Sequence, residues 1–352
     1  VVTVQPSPPS FTTSDSISEW LIVDGTKNYS YAMARVLLAQ GKHCTLVVRP
    51  DDLIHADQRF KPDDNITIIS IDYTKAESRA ALCEAGKGKR FLFMDPEHHD
   101  YLKWHSTIPA IATNALIAAR TNNLTVFYPG RIYPFSNTPT ITERSTYQPT
   151  TEQGKTLTKV EKMLRHMADK KLCKVCVVRA SYPFGPGMYD FLLSSSFKDI
   201  PRNGQLTWLF RTDHKFQFTY THDVARLMIE LSKKPQVDYF SCLNFAGYTL
   251  PSVTALGESI VSVAKQHFTQ VSRDMRLRQR VVSNLHLNLV SKVEPNALRG
   301  KDLATFFSQP AMLDDSALKA SMPFTPTPLQ KAITDTLTWY ATNTDTKGLC
   351  IV

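Results

Sequence analysis

Glycine is scarce in this chain. Only 13 of the 352 residues are glycine, whereas an average share of roughly 7% would give about 25. Long apolar runs are also missing, since no stretch reaches the roughly 18 residues that a membrane span needs. With 42% hydrophobic and 21% charged residues, the composition excludes a disordered or collagen-like chain. The length suffices for one large domain or two smaller ones with an ample core.

The cysteines do not form a disulfide or metal framework. Six are dispersed along the chain, mostly in apolar, strand-like segments, which is typical of reduced thiols in a reducing compartment. Cys173 and Cys176 form a C-x-x-C pair, but residues three apart in a strand face opposite sides. We therefore expect neither a redox pair nor a metal site.

The ends and the charge give only broad expectations. Residues 1–17 are rich in Ser, Thr and Pro and indicate a flexible arm without the basic region of a signal peptide. We expect an intracellular location, cytoplasmic or, if a targeting segment was removed, organellar. The net charge of +9 suits anionic partners such as nucleotides or nucleic acid, or is spread over the surface and aids solubility.

Four arginines crowd one stretch, at positions 273, 276, 278 and 280. They could contact nucleic acid or an acidic protein. The alternative is a solvated helix face, which the lack of interleaved aromatic residues favours.

Apolar strand-like runs alternate with helical patterns over the first half of the chain. The predicted strands are 21–24, 43–48, 66–71, 90–94, 124–128 and 174–179, and the predicted helices are 32–39, 76–85, 108–120 and 154–170. This alternation predicts the α/β class with a Rossmann-type doubly wound parallel sheet, whose ligands bind at the carboxyl ends of the strands. We assign residues 18–188 to a nucleotide-binding core. Residues 189–345 mainly form a smaller C-terminal substrate lobe, with 220–250 returning to the core.

Several blocks resemble the extended short-chain dehydrogenase/reductase family, in its NAD-dependent epimerase/dehydratase branch. The blocks are 21–26 with 37–43, 71–72 after the third strand, 128–133, 178–179 with 184–187, and 220–225. The resemblance runs from about Glu19 to Tyr340. Three other blocks, 142–143, 149–164 and 324–340, are more similar to an atypical subgroup in which the Ser and Tyr-x-x-x-Lys chemistry is changed.

The resemblance implies a dinucleotide site with altered residues. The family's G-x-x-G-x-x-G turn, which brings the backbone close to a pyrophosphate, reads Gly25, Asn28 and Tyr31 here. Asn28 tolerates a left-handed backbone, but the Tyr31 ring must point elsewhere or occupy the phosphate space. Arg49 suits a 2′-phosphate, so NADP(H) fits better than NAD if a cofactor binds; the alternative is an ordinary surface arginine. Asp72 would contact adenine or cap the turn after its strand.

The catalytic groups that the resemblance implies are missing. The Ser, Tyr and Lys positions fall on Gly130, Gln153 and Leu157. Glutamine does not give up a proton at useful pH and leucine carries no charge, so ordinary hydride chemistry is not expected.

Other polar residues could use the cleft. The candidates for acid–base work are His98 or His99, acting with Asp95 or Asp100, and Tyr133; His105 lies near them, and the alternative is a solvated loop. The resemblance also implies a set of residues that line the substrate pocket: Tyr101, Trp104, Arg131, Tyr182 and Phe184.

Three classes of function remain open. The favoured class is a pseudoenzyme that binds a nucleotide or metabolite, or that serves as a subunit of a larger assembly. The second is an atypical NADP(H)-dependent or non-redox enzyme acting on a small anionic substrate. The third is an RNA-binding relative. The sequence leaves a homodimer open as well.

Overall fold

The computed structural model describes residues 19–62, 64–97, 100–189, 192–209, 214–269, 271–282, 287 and 295–343. Its strands are β1 Trp20–Val23, β2 Cys44–Val48, β3 Ile66–Ser70, β4 Phe91–Met94, β5 Thr125–Arg131, β6 Thr140–Ile141, β7 Val175–Ala180, β8 Tyr182–Phe184, β9 Gln205–Trp208, β10 Phe216–Tyr220, β11 Phe240–Phe245, β12 Tyr248–Leu250, β13 Arg278–Val281 and β14 Met312–Leu313. Its α-helices are α1 Asn28–Ala39, α2 Leu53–Arg59, α3 Arg79–Ala85, α4 Trp104–Thr121, α5 Glu152–Asp169, α6 Leu193–Asn203, α7 Thr221–Ser232, α8 Val253–His267, α9 Pro295–Phe306, α10 Ser316–Ser321 and α11 Leu329–Thr342.

The central layer within these residues is a seven-stranded parallel sheet in the order β11-β7-β5-β4-β1-β2-β3. The predicted α/β class and doubly wound parallel sheet are therefore confirmed. The chain order reverses between β1 and β4, so a crevice opens there at the carboxyl ends of the strands.

Both faces of the sheet are buried, as a parallel sheet requires. In β4, Phe91 and Phe93 belong to one hydrophobic core, whereas Leu92 and Met94 belong to the other. Successive side chains of a strand point to opposite faces, so this apolar run fills both cores at once. Helices α1 and α7 pack together, and so do α4 and α5.

The second half adds smaller sheets around the first layer. Strands β12, β10 and β8 form one, β13 pairs with β9, and β14 pairs with β6. Between them, α7 packs on α1 and β11 extends the central sheet beside β7. None of the described helices combines the length and apolar character that crossing a bilayer requires.

The arginine-rich stretch contains a strand and not the solvated helix face that was one of its two interpretations. Arg278 and Arg280 lie on β13, which pairs in parallel with β9 and is exposed along its length. Three consecutive polar residues, Arg278 to Arg280, suit a strand that is exposed on both faces. The backbone of Gly204 accepts a hydrogen bond from the Arg278 N–H.

The C-x-x-C pair is structural. Cys176 lies on β7 in one core and Cys173 lies in the core on the other side of the sheet. Both are free thiols, and burial raises the pKa of each to about 11. The reactive thiolate form is therefore suppressed.

Candidate functional site

An ion pair lies at the carboxyl edge of the sheet, where β4 and β5 end. The Arg131 guanidinium donates to Asp95 Oδ1 at 2.6 Å, and both side chains are buried. The other carboxylate oxygen, Asp95 Oδ2, accepts from the backbone N–H of Tyr29 at 3.2 Å. The guanidinium also lies over the Tyr29 ring, 4.5 Å from its centroid. The structure thus brings Asp95 and Arg131 together, but as partners of each other.

Glu97 extends this network to the loop before α1. Its Oε1 lies 3.6 Å from the Arg131 guanidinium, and its Oε2 accepts a hydrogen bond from the Asn28 side-chain amide. The Asn28 carbonyl oxygen in turn accepts from the Tyr189 N–H at 2.9 Å. Asn28 has φ +54°, the left-handed conformation considered for it. Its side chain therefore joins the β4 loop to the 185–189 turn.

The amino end of α1 is the place where this fold offers backbone N–H groups to an anion. Here, protein atoms accept from two of them. Tyr29 N–H donates to Asp95, and Asn28 N–H donates to the Gly187 carbonyl oxygen at 3.0 Å. The positive end of the helix is consequently neutralised by a carboxylate of the chain itself.

Two further positions of the glycine turn have taken on packing roles. The Tyr31 ring is buried, 5.7 Å from the Phe60 centroid and 6.2 Å from that of Trp339. It lies so close to Gly187 that a Cβ there would be 2.1 Å from the ring. Gly25 remains necessary, because a Cβ at that position would lie 1.8 Å from Leu46 Cδ2.

The inner part of the crevice is nearly filled. Arg131, Glu97, Tyr133, Gln153 and Leu157 are among its walls, and its volume is about 10 Å³. That is about the room that one water molecule needs, whereas sites for small ligands commonly measure roughly 300–1,000 Å³.

Helix α9 closes this inner part from outside. The Asp302 carboxylate accepts from the Gln153 N–H at 3.1 Å and from the Tyr101 hydroxyl. Arg299 lies over the Trp104 ring, 4.9 Å from its centroid. Tyr133 packs edge-on against Phe306 at 5.1 Å. Trp104 and Tyr133 therefore line the crevice, while Tyr101 packs against Trp104. Each of the three contacts α9.

The position expected for the catalytic serine is sterically filled. Gly130 pairs with Arg179 across β5 and β7. A Cβ at position 130 would lie 2.8 Å from the Arg179 side chain and 3.2 Å from Glu161 Oε1. These two residues form a buried ion pair of 2.9 Å, so a larger side chain would disturb a charged pair in the core.

Some predicted site residues lie elsewhere. Tyr182 and Phe184 are buried in the aromatic core, because alternation along β8 turns only the intervening Pro183 toward the crevice. Asp100 accepts from the Leu102 N–H at 3.0 Å and so caps a short 3₁₀ turn. His105 is exposed, with Nδ1 2.9 Å from the Leu102 carbonyl oxygen. His98 and His99 lie outside the described residues, as does the arm of residues 1–17.

The outer part of the crevice is an open groove of about 730 Å³ between the ends of β2 and β3 and the start of α4. Arg49 and Asp72 both line it, together with Lys75 and Lys103. Asp52 holds Arg49 through bonds of 2.6 and 2.9 Å. Asp72 accepts from the Thr74 N–H at 3.2 Å and pairs with Lys75 at 3.0 Å. Asp72 therefore caps its turn while facing the groove.

Two acidic residues that the sequence analysis did not single out are central to the site. Burial raises the pKa of Asp24 to about 6, against the opposing charge of Lys27. Burial likewise raises the pKa of Glu97 to about 7, against the opposing charge of Arg299. Asp24 accepts from the Tyr73 hydroxyl at 2.8 Å and from the Glu97 N–H at 3.2 Å. The sequence feature that could have identified Asp24 is its position directly after the fully apolar strand β1.

Comparison with solved structures gives broad matches to one kind of protein. UDP-N-acetylglucosamine 4-epimerase from Methanobrevibacter ruminantium M1 is 14% identical with TM-score 0.71, over 92% of this chain and 98% of that chain. dTDP-glucose 4,6-dehydratase from Streptomyces venezuelae, with NAD bound, is 14% identical with TM-score 0.67, over 93% and 98%. The enzyme WbmH of Bordetella bronchiseptica, in complex with NAD⁺, is 13% identical with TM-score 0.67, over 93% and 99%.

The chain has the fold of NAD-dependent epimerases and dehydratases. The fold implied by the resemblance is thus confirmed over nearly its whole length. No protein-family model matches the chain, and no curated protein does.

The residues present do not fit a nicotinamide dinucleotide in this fold's usual position. A pyrophosphate at the amino end of α1 would have to displace Asp95 and the Gly187 carbonyl oxygen from the backbone N–H groups that already donate to them. The adenosine end of such a cofactor meets no such obstacle, because the outer groove is large enough to hold it. Among the described residues, no group of three or more His, Cys, Asp or Glu side chains is arranged to hold a metal ion.

Proposed function

We propose that this chain is a non-catalytic protein built on the epimerase/dehydratase fold. The observation that carries the proposal is the Asp95 carboxylate, which bridges Arg131 and the Tyr29 N–H at the amino end of α1. An internal anion and its counter-ion thus occupy the position of a dinucleotide phosphate. Gly130, Gln153 and Leu157 supply no proton-transfer group beside it.

The binding activity that we propose is for a mononucleotide in the outer groove. Asp72 offers a carboxylate to an adenine or ribose donor, while Lys75 and Lys103 can neutralise a phosphate at the rim. The groove does not need the glycine turn, so the replacements at Asn28 and Tyr31 leave it intact. An NADP(H) preference is not part of this proposal, because the Arg49 side chain is buried and already held by Asp52.

Thermal unfolding in the presence of AMP, NADH and NADPH tests both parts. A ligand at 100 times its Kd stabilises a single site by about 2.7 kcal/mol. We expect AMP to raise the Tm, and NADH and NADPH to raise it by no more than AMP does. If neither AMP nor the dinucleotides raise the Tm, the proposed nucleotide binding is wrong, whereas the closure of the inner crevice still stands. A larger shift with NADH than with AMP would contradict the closure, because NADH differs from AMP only by the part that the inner crevice would hold.

A further inference from the structure

A separate groove lies between the carboxyl-terminal half of α5 and the loop of residues 143–147, with a volume of about 610 Å³. This volume is within the roughly 300–1,000 Å³ that sites for small ligands commonly measure. We call it the α5–loop groove. It shares no lining residue with the inner crevice or the outer groove. What we infer here therefore stands independently of the proposed nucleotide binding.

The side chains around the α5–loop groove carry an excess of positive charge. Four are basic and two are acidic, namely Arg144, Lys162, Arg165, Arg179, Glu143 and Asp169. One of the acids is already engaged, because Glu143 Oε1 accepts from the Asn244 N–H at 2.9 Å. No ion pair between described residues involves Arg144, Lys162 or Arg165. An anion that enters the groove therefore meets uncompensated cations.

The backbone that carries Arg144 is held on both sides of this residue. Before it, the Glu143 carbonyl oxygen accepts from the Arg179 guanidinium at 3.4 Å. After it, the Ser145 N–H donates to the Thr142 carbonyl oxygen at 3.1 Å, and the Ser145 hydroxyl accepts from the Thr142 N–H at 2.9 Å. A loop that is already ordered loses less conformational freedom when a ligand binds, so Arg144 is presented in advance.

Arg165 is positioned by an aromatic ring. Its guanidinium lies over the Phe240 ring at the start of β11, 3.5 Å from the centroid. Such stacking orients the planar guanidinium without removing its charge. The third guanidinium of the groove differs, because Arg179 is buried and paired with Glu161 at 2.9 Å. We therefore assign ligand binding to Arg144 and Arg165.

We infer that the α5–loop groove binds a small organic molecule that carries two or more phosphate groups. An arginine guanidinium can donate two parallel N–H···O bonds to one phosphate, which gives geometric selectivity in addition to charge. Two oriented guanidinium groups in one groove suit a ligand with two phosphates. The volume of the groove leaves room for a short carbon body between them.

Isothermal titration of the full chain with 2,3-bisphosphoglycerate tests this inference. We expect binding at one site that weakens as salt is added, since both arginines are exposed to solvent. Glycerol 3-phosphate carries one phosphate and should bind at least about tenfold more weakly, which is about 1.4 kcal/mol. An excess of AMP should change the Kd for 2,3-bisphosphoglycerate by less than about twofold, because the outer groove is separate.

Matched variants locate the binding. The double variant Arg144→Gln, Arg165→Gln should weaken it at least about tenfold. Arg144→Lys with Arg165→Lys keeps both charges but loses the paired donors, so it should weaken binding by a smaller factor. The control Arg276→Gln, Arg280→Gln removes the same charge from two exposed arginines outside the groove and should leave the Kd unchanged. Tm values confirm that each variant is folded.

Four results would overturn the inference. One is the absence of saturable binding of 2,3-bisphosphoglycerate to the wild-type chain. Another is equal weakening by the glutamine variant of the groove and by the control, which would attribute binding to overall positive charge. Equal affinity for glycerol 3-phosphate would remove the need for two phosphates. Competition by AMP would place the ligand in the outer groove.

Discussion

The inner and outer parts of the crevice lie on the same sheet edge but differ in what fills them. The inner part keeps about 10 Å³ and is crossed by the Asp95–Arg131–Glu97 network. The outer part keeps about 730 Å³, and the lysines at its rim, Lys75 and Lys103, are exposed to solvent. The contrast teaches that closure of the site is local. Substitutions around the amino end of α1 can close a crevice without altering the sheet that frames it.

The largest effect is expected from breaking the inner network. Replacing Arg131 with Met leaves the buried Asp95 carboxylate without its counter-ion, which should lower the free energy of unfolding by about 3–5 kcal/mol. Urea denaturation measures it. Lys233→Met removes an ion pair whose partners are about half exposed and should cost less than about 1 kcal/mol. Equal losses in the two variants would mean that the inner network has no special role.

Alanine substitutions at two glycines test whether the Tyr31 ring is held rigidly against the 185–189 turn. Gly187 and Gly88 have φ of +72° and +71°, but only Gly187 faces the ring, whereas a Cβ at Gly88 meets nothing within 4 Å. Backbone strain destabilises both alanine variants. Overpacking against Tyr31 should lower the free energy of unfolding by about 1–3 kcal/mol more in Gly187→Ala alone. Chemical denaturation should show this difference. If Gly88→Ala destabilises the fold as much as Gly187→Ala does, the Tyr31 ring does not limit the space at position 187.

The pH dependence of stability should report the closed site. A carboxyl whose pKa is raised by folding binds more protons in the folded state, so stability falls as pH rises through the interval between its two pKa values. For Glu97 that interval runs from its ordinary 4.5 to about 7. Replacing Glu97 with Gln should remove a decline on the order of 2–3 kcal/mol between those limits. Parallel pH profiles of stability in the wild type and in Glu97→Gln would contradict the raised pKa of Glu97.

The smallest effect is expected in the outer groove. Asp72→Asn keeps the shape but loses the charge that faces Lys75, so the free energy of unfolding should change by less than about 1 kcal/mol. AMP binding should weaken by about threefold to tenfold in calorimetry. Asp57→Asn, an exposed acid on α2, is the matched control. An unchanged AMP affinity in Asp72→Asn would remove this residue from the groove's function.

Sequence patterns could predict the sheet because apolar runs such as 91–94 must fill two cores, and this periodicity is local. They could also anticipate the left-handed backbone of Asn28. The closure of the site was harder to foresee. The partner of Asp95 is Arg131, 36 positions away, and the Asp302 bond to the Gln153 N–H spans 149 positions. Such pairs depend on how strand ends and α9 converge, which no local pattern encodes.

Arg49 shows the same limit at short range. Its sequence position suits a 2′-phosphate, but Asp52, only three residues away, takes up the guanidinium once the 3₁₀ turn of residues 50–52 forms. The domain boundaries and the third class of function, RNA binding, stay predictions. The arginines of β13 are exposed on a strand, and their contribution to nucleic-acid affinity would appear as a steep salt dependence.

Isothermal titration of the wild-type chain with AMP and with NADH tests the closed inner crevice most directly, because NADH contains AMP and differs by the part that the inner crevice would hold. We predict Kd values that agree within about threefold, since everything beyond the first phosphate finds no site. NADH binding tenfold or more tighter than AMP, a gain of about 1.4 kcal/mol or more, would show that the crevice accepts the nicotinamide half and would contradict the account.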